Sequence, residues 1–257
     1  MKNTALITGA SSGIGLEFAK IHASKGDNLV LVARNINKLN ELKAELEIQF
    51  NVMIYTIEKD LSLVNSSLEV YEEVKSKGIQ IDYLINNAGF GDIGNFSNTR
   101  WEKELRMINL NITALTQLCK LFLIDMLARK KGKIMNIAST AAFQPGPMMA
   151  VYFATKSYVL HFTEAVNAEV KGSGVTLTAL CPGPTKSGFQ AAAEIGKSLL
   201  FNKRNPSSKE VAEYGYKSMM KGKSVAIHGF INYLMANSVR FTPRNWVVGI
   251  TQKIQGV

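Results

Sequence analysis

Cysteine, histidine and proline are scarce in this chain, at two, three and six of 257 residues. Cys119 and Cys181 lie far apart and form no metal-type pair. His22, His161 and His228 add too few nitrogens for a metal centre, so no metal is expected. Long apolar runs are also missing. None reaches the roughly 18–20 residues that cross a bilayer, which argues against a transmembrane segment. Met1-Lys2-Asn3-Thr4 leads straight into a strand-like run, without the longer apolar region and cleavage site of a secretory signal. The expected compartment is the cytoplasm. A basic stripe interleaved with aromatics is absent too, so nucleic acid is not an expected partner despite a net charge of +10. The main basic cluster, Arg129-Lys130-Lys131-Gly132-Lys133, reads as a helix C-terminus followed by a glycine turn.

What the chain does have is hydrophobic residue, 46% of the total, enough for one sizeable core in a single domain over residues 1–257. Short β-rich runs alternate with helical stretches. Candidate strands are Thr4–Thr8, Asn28–Ala33, Val52–Ile57, Ile81–Asn86, Lys133–Ala138 and Val175–Leu180, with a seventh at Ser224–His228. Several are almost continuously apolar, as in Leu29-Val30-Leu31-Val32-Ala33, which suits strands buried on both faces of a parallel sheet. Leu39, Leu42, Leu46 and Phe50 fall on one face of an intervening helix. The alternation predicts an α/β fold: a doubly wound, Rossmann-type parallel sheet of about seven strands with helices on both faces. Residues 184–223 break the alternation and read as a helical insertion after a strand C-terminus, where ligands bind in such sheets. They are expected to form a substrate lid.

The first strand runs into Thr8-Gly9-Ala10-Ser11-Ser12-Gly13-Ile14-Gly15, and an apolar helix follows. Glycines there permit a tight turn and close approach of backbone to a pyrophosphate, beside the free N–H groups of the helix N-terminus. Gly9, Ser11, Ser12, Gly13, Ile14 and Gly15 are therefore candidate cofactor contacts. The spacing is not G-x-G-x-x-G; it matches the T-G-x-x-x-G-x-G turn of the short-chain dehydrogenases. The second strand ends in Arg34, where an NAD site usually carries an acid; an arginine accommodates a 2′-phosphate and favours NADP(H) over NAD(H). Asp60 and Leu61 follow the third strand, with Asp60 readable as an adenine contact or as a helix N-cap.

Tyr152 and Lys156 stand four apart at the start of a helix predicted over Tyr152–Lys171, so both fall on one face. A free tyrosine, with a pKa near 10, is a poor acid–base at neutral pH; a nearby ammonium is expected to lower it. Ser139 ends the fifth strand and points to the same crevice. Asn86-Asn87-Ala88-Gly89 ends the fourth.

These pieces, with Asn111 and Pro182-Gly183, occur in the order and at the separations of the classical short-chain dehydrogenase/reductase family, which the chain resembles over nearly its whole length. The resemblance implies an NADP(H)-dependent oxidoreductase interconverting a carbonyl and an alcohol. It implies Tyr152 as general acid/base, Ser139 as a donor to the carbonyl oxygen, and Lys156 on the nicotinamide ribose. Asn111, chosen over Asn109, would hold a water linked to Lys156. Asn87, Ala88, Gly89, Pro182, Gly183 and Thr185 would flank the cofactor. It also implies a homodimer or homotetramer, through a second apolar face of the Tyr152 helix formed by Phe153, Leu160, His161 and Ala168. The lid carries eight Lys/Arg against three Glu between Lys186 and Lys223, together with Phe189, Ile195, Leu199, Leu200 and Phe201. It reads as an ordinary solvated face or as an attractor of anionic substrates. The apolar tail Trp246-Val247-Val248-Gly249-Ile250 reads as core packing, with packing on a neighbouring subunit, on the substrate lobe or on a membrane surface as alternatives. Two rival readings are a non-catalytic NADP(H)-sensing protein on the same fold and a sugar-nucleotide epimerase, which the glycine spacing opposes.

Overall fold

A computed structural model describes residues 2–186 and 205–255. Seven parallel strands form one sheet: β1 (Thr4–Thr8), β2 (Asn28–Ala33), β3 (Ile54–Glu58), β4 (Tyr83–Asn86), β5 (Gly132–Ile137), β6 (Val175–Cys181) and β7 (Val225–Ile227). Their order is β3-β2-β1-β4-β5-β6-β7. The order reverses between β1 and β4, and that switch point opens a crevice beyond the strand C-termini.

The helices are α1 (Gly13–Ser24), α2 (Ile36–Phe50), α3 (Ser66–Ser76), α4 (Trp101–Ile108), α5 (Leu115–Ala128), α6 (Ala150–Glu169), α7 (Ser208–Met220), α8 (Phe230–Ser238) and α9 (Arg244–Gln255). Two apolar clusters cover the two sheet faces. One gathers Leu6, Val30 and Leu84 with Leu118, Phe122 and Val159. The other gathers Ile7, Leu31 and Ile85 with Phe18, Leu39 and Val211. The central strands are buried at every position, as continuous apolar runs require.

At the far end of the sheet, His22 and Asp27 meet at 2.7 Å in a buried pair, with Tyr83 and Tyr216 rings against the imidazole. The pair fastens the end of α1 to the start of β2.

Of the expected lid, 184–223, the described part contains a helix of the body. Residues 187–204, with Phe189, Ile195, Leu199, Leu200 and Phe201, lie outside the described residues. Beyond them, Ser207 and Glu210 form a reciprocal capping box that starts α7. This helix packs Val211, Ala212 and Met219 into the core beside α1. It is the crossover from β6 to β7. Gly215 lets it settle there, since a Cβ would sit 2.7 Å from Leu180 and 2.9 Å from Phe18.

Three other local expectations shift. Lys130, at φ 54°, turns the chain after α5, while Gly132 already belongs to β5. The continuous helical rod Trp101–Ala128 is long and apolar enough to cross a membrane by length and composition alone. Leu118, Cys119, Phe122 and Met126 are nevertheless buried against the sheet, so the rod serves as a core helix. On α6, Phe153 and Leu160 are covered by their own chain, leaving only His161 and Ala168 of the expected pairing face exposed.

Candidate active site

Of the residues expected at the site, all but Gly15 and Asn111 line one cleft of about 1520 Å³ over the switch point. That exceeds an ordinary small-molecule pocket of roughly 300–1,000 Å³ and leaves room for a dinucleotide and a second ligand. The two exceptions lie just behind its wall.

The glycine turn forms the floor. Gly9 has φ 66°, and a Cβ on Gly15 would come within 2.4 Å of both the Gly9 carbonyl oxygen and the Asn87 side chain. The first intrahelical bond of α1 runs from the Leu16 N–H to Ser12, so the N–H groups of Gly13, Ile14 and Gly15 precede it. Thr8 knits the floor to β4: its Oγ1 accepts from the backbone N–H of Asn87 and Ala88 at 3.0 and 2.9 Å. The Asn87 amide donates back to the Thr8 and Gly9 carbonyls. Gly15→Ala is expected to abolish detectable nucleotide binding, because a backbone carbonyl cannot yield to a methyl group. Calorimetric titration with NADPH checks it, and wild-type affinity in this variant would remove the turn from the site.

At the β2 end, Arg34 is exposed on the cleft wall. Asp60 accepts from the N–H and hydroxyl of Ser62 at 3.0 and 2.7 Å. Arg106 of α4 reaches across to pair with it at 2.8 Å. Burial alone would raise the Asp60 pKa, but the Ser62 hydrogen bonds and the charges of Arg106 and Arg34 carry it below the usual value. Asp60 therefore closes a local turn, and β3 ends before it at Glu58. Arg106 was not anticipated: a single arginine on an amphipathic helix carries no motif, and its partner is 46 positions away.

The chemical end is tighter. Ser139 lies beyond β5 and caps a short 3₁₀ turn, Thr140–Phe143, by accepting from the Ala141 N–H. Its hydroxyl lies close enough to the Tyr152 phenol to lower that phenol's pKa. Lys156 donates to the Ile137 carbonyl at 2.8 Å, and its Nζ lies 5.8 Å from the centre of the Tyr152 ring. Burial pushes the Tyr152 pKa up to about 12, with Ser139 pulling it back in part. Burial lowers Lys156 to about 8, opposed by Cys181. The expected lowering of the tyrosine pKa by the lysine is therefore not what the structure shows. Desolvation dominates both groups, and the ammonium is directed to Ile137.

Asn111 lies in a π-helical turn, Asn109–Ala114, between α4 and α5. It is buried, with its amide donating to the Phe90 carbonyl and Thr155 Oγ1 and its Oδ1 accepting from the Phe90 N–H. Gly89 separates it from the cleft. A Cβ there would meet Asn111 Oδ1 at 3.0 Å and Lys156 Nζ at 3.5 Å, so only glycine leaves a path between the two. Asn109 instead donates to the Ser62 carbonyl at 3.3 Å, away from this group.

The segment after β6 forms the opposite lip. The Pro182 carbonyl accepts from the Thr140 N–H and from Ser139, and Thr185 Oγ1 donates to the Gly183 carbonyl. The outer wall comes from the C-terminal helices through Phe230, Ile231, Met235, Val247 and Ile250. Among the described residues no cluster of side chains could hold a metal ion.

Comparisons with known proteins identify the family and the fold. The family profile described as short chain dehydrogenase matches residues 3–197. A very-long-chain 3-oxoacyl-CoA reductase of Rattus norvegicus is 28% identical over 95% of this chain and 76% of its own. The solved short-chain dehydrogenase of Sphingobium yanoikuyae, in complex with NADPH, is 31% identical, with a TM-score of 0.83 over 93% of this chain and 94% of that one. A bulky-bulky ketone specific alcohol dehydrogenase of Comamonas testosteroni is 30% identical, with a TM-score of 0.80 over 93% and 92%.

Proposed function

Because the chain belongs to the short-chain dehydrogenase family, we propose that this oxidoreductase reduces a bulky, largely apolar ketone or 3-oxoacyl thioester with NADPH, using Tyr152 as the proton donor. The observation that carries the reading is the convergence of Ser139, Tyr152 and Lys156 at one end of a cleft whose other end holds the glycine turn and Arg34.

The residues fit a dinucleotide. The floor at Gly9 and Gly15 has no room for side chains, and α1 presents its N-terminus to it. Arg34 supplies a cation where a 2′-phosphate would lie. A bound nicotinamide would supply the hydride. The chain itself positions and protonates. Ser139 and Tyr152 present two hydroxyls to one oxygen atom, and the phenol keeps its proton at neutral pH until an alkoxide needs it. Lys156 lies beside the tyrosine to bind the ribose. Asn111, behind Gly89, would hold a water between Lys156 and solvent through the second lone pair of its Oδ1. The apolar outer wall and the names of the relatives support a bulky carbonyl substrate.

The cofactor preference has a direct test. Arg34→Glu is expected to raise the KM for NADPH at least about tenfold, since it replaces a charge-assisted phosphate contact by a like charge, and to leave the KM for NADH unchanged or lower. Steady-state rates on a panel of ketones and 3-oxoacyl thioesters give both values. An unaltered NADPH preference would take Arg34 out of the site, and cofactor binding without turnover on any carbonyl would favour a sensing protein.

A cytoplasmic setting suits the two free, buried cysteines. A homodimer or homotetramer is our expectation for the assembly. Exposed Leu105, Ile124 and Tyr158 on α4–α6 offer apolar surface for it, and light scattering that shows only monomer would remove it.

A further inference from the structure

The last two helices are built the wrong way round for a free surface. Among their described side chains only Ala236, Val247 and Thr251 are buried. Facing outward are Phe230 (75% exposed), Phe241 (88%) and Trp246 (68%), with Ile231, Leu234 and Ile250 each at least half exposed. The tail that read as core packing is therefore mostly outside the core. Isolated exposed apolar residues are ordinary, but this many on two adjoining short helices mark a contact surface. The family profile ends at residue 197, before this lobe begins.

The charge pattern selects the occupant. No Asp or Glu follows Glu213 in the sequence, whereas Lys217, Lys221, Lys223, Arg240, Arg244 and Lys253 do. Arg240 and Arg244 sit within the lobe and share a surface hollow with Phe230, Tyr233 and Val248. Aromatic and aliphatic side chains flanked by cations, on a lobe that carries no acid of its own and with Glu164 of α6 as the single carboxylate lining the hollow, suit an anionic bilayer surface, where the rings enter the headgroup boundary and the cations meet lipid phosphates. A second copy fits less well, because a two-fold contact would bring both arginines of each copy together with only Glu164 of each hollow to pair them.

We propose that the α8–α9 lobe docks this protein peripherally on anionic lipid. Docking does not depend on the chemistry proposed above. One consequence does rest on that chemistry: Ile231 and Ile250 also line the cleft, so a docked molecule would open its substrate mouth toward the lipid.

The test is flotation with vesicles of phosphatidylcholine alone or with one-third phosphatidylglycerol. Trp101→Phe leaves Trp246 as the only tryptophan, so its emission reports insertion. Binding and a blue shift are expected on the anionic vesicles, about tenfold weaker on neutral ones and in high salt. The double variants Phe241→Ser/Trp246→Ser and Arg240→Gln/Arg244→Gln should each weaken flotation about tenfold or more, while ketone reduction in solution stays unchanged. Absence of flotation and of any shift would overturn the proposal, as would equal binding to neutral vesicles. A blue shift that instead appears without lipid, alongside doubling of the mass in light scattering, would assign the lobe to a second copy and overturn it too.

Discussion

Tyr152→Phe is expected to lower turnover at least about a hundredfold, within the usual span for loss of a general acid, while the fold and the affinity for NADPH persist. The phenol is buried in the cleft beside Ser139. Removing its hydroxyl leaves the ring packed beside Phe153, with ring centres 6.1 Å apart. Ser139 retains its bonds to the Ala141 N–H and the Pro182 carbonyl. Binding should therefore survive and only the proton transfer should fail. Parallel measurement of kcat and of the NADPH dissociation constant separates the two. Turnover close to that of the unaltered enzyme would reject Tyr152 as the donor.

Lys156→Met is expected to lose at least about a hundredfold in kcat/KM and at the same time to gain stability at neutral pH. The lysine is held near pKa 8 by burial, against 10.5 in the unfolded chain. Between those values the unfolded state binds more protons, so the wild-type protein becomes more stable as pH rises through that window. Below about pH 8 the full cost of burying the ammonium is present, and above about 10.5 it is gone. Methionine fills the same space without that cost. Its melting temperature should exceed that of the wild type at pH 7, by roughly 2–4 °C for each kcal/mol recovered. The difference should shrink to nothing on the alkaline side. This is the exchange of stability for activity expected of a buried functional charge. A variant less stable than the wild type at pH 7 would show that the lysine is a net structural support through its bond to Ile137.

Much of this was legible in the sequence, for identifiable reasons. β1 and β2 run as expected from Thr4 to Thr8 and from Asn28 to Ala33, because strands buried on both faces leave uninterrupted apolar runs. β3 starts two residues later than expected: Met53 extends the apolar run but is exposed, and Ile54 is the first residue paired with Leu29. The crossover helix α7 passed for a lid because its buried side is made of Val211, Ala212, Gly215 and Met219 among Lys, Glu and Ser, a weak apolar stripe. The tail failed in the opposite direction, since an apolar run at Trp246–Ile250 reads as interior whatever covers it.

At the site, the motif residues were readable because each does a local job: a tight turn, a strand end, a helix face. What tertiary contact decides was not readable. Arg106 finds Asp60 across the cleft. Asn109 and Asn111 lie in a π-helical turn, where the ordinary 3.6-residue spacing no longer tells which of them faces Lys156. The direction of the Tyr152 pKa was misjudged for the same reason. The four-residue spacing places the ammonium 5.8 Å from the ring centre, but its hydrogen bond goes to the Ile137 carbonyl and burial sets the balance.

The most direct test uses NADPH carrying deuterium at both hydrogens of the nicotinamide C4, with a bulky ketone, and reads the mass of the alcohol formed. A carbonyl reductase working through this cleft predicts alcohol bearing the label from the wild-type protein and almost none from the phenylalanine variant at position 152. Unlabelled product, or labelled alcohol in equal yield from both proteins, would contradict it.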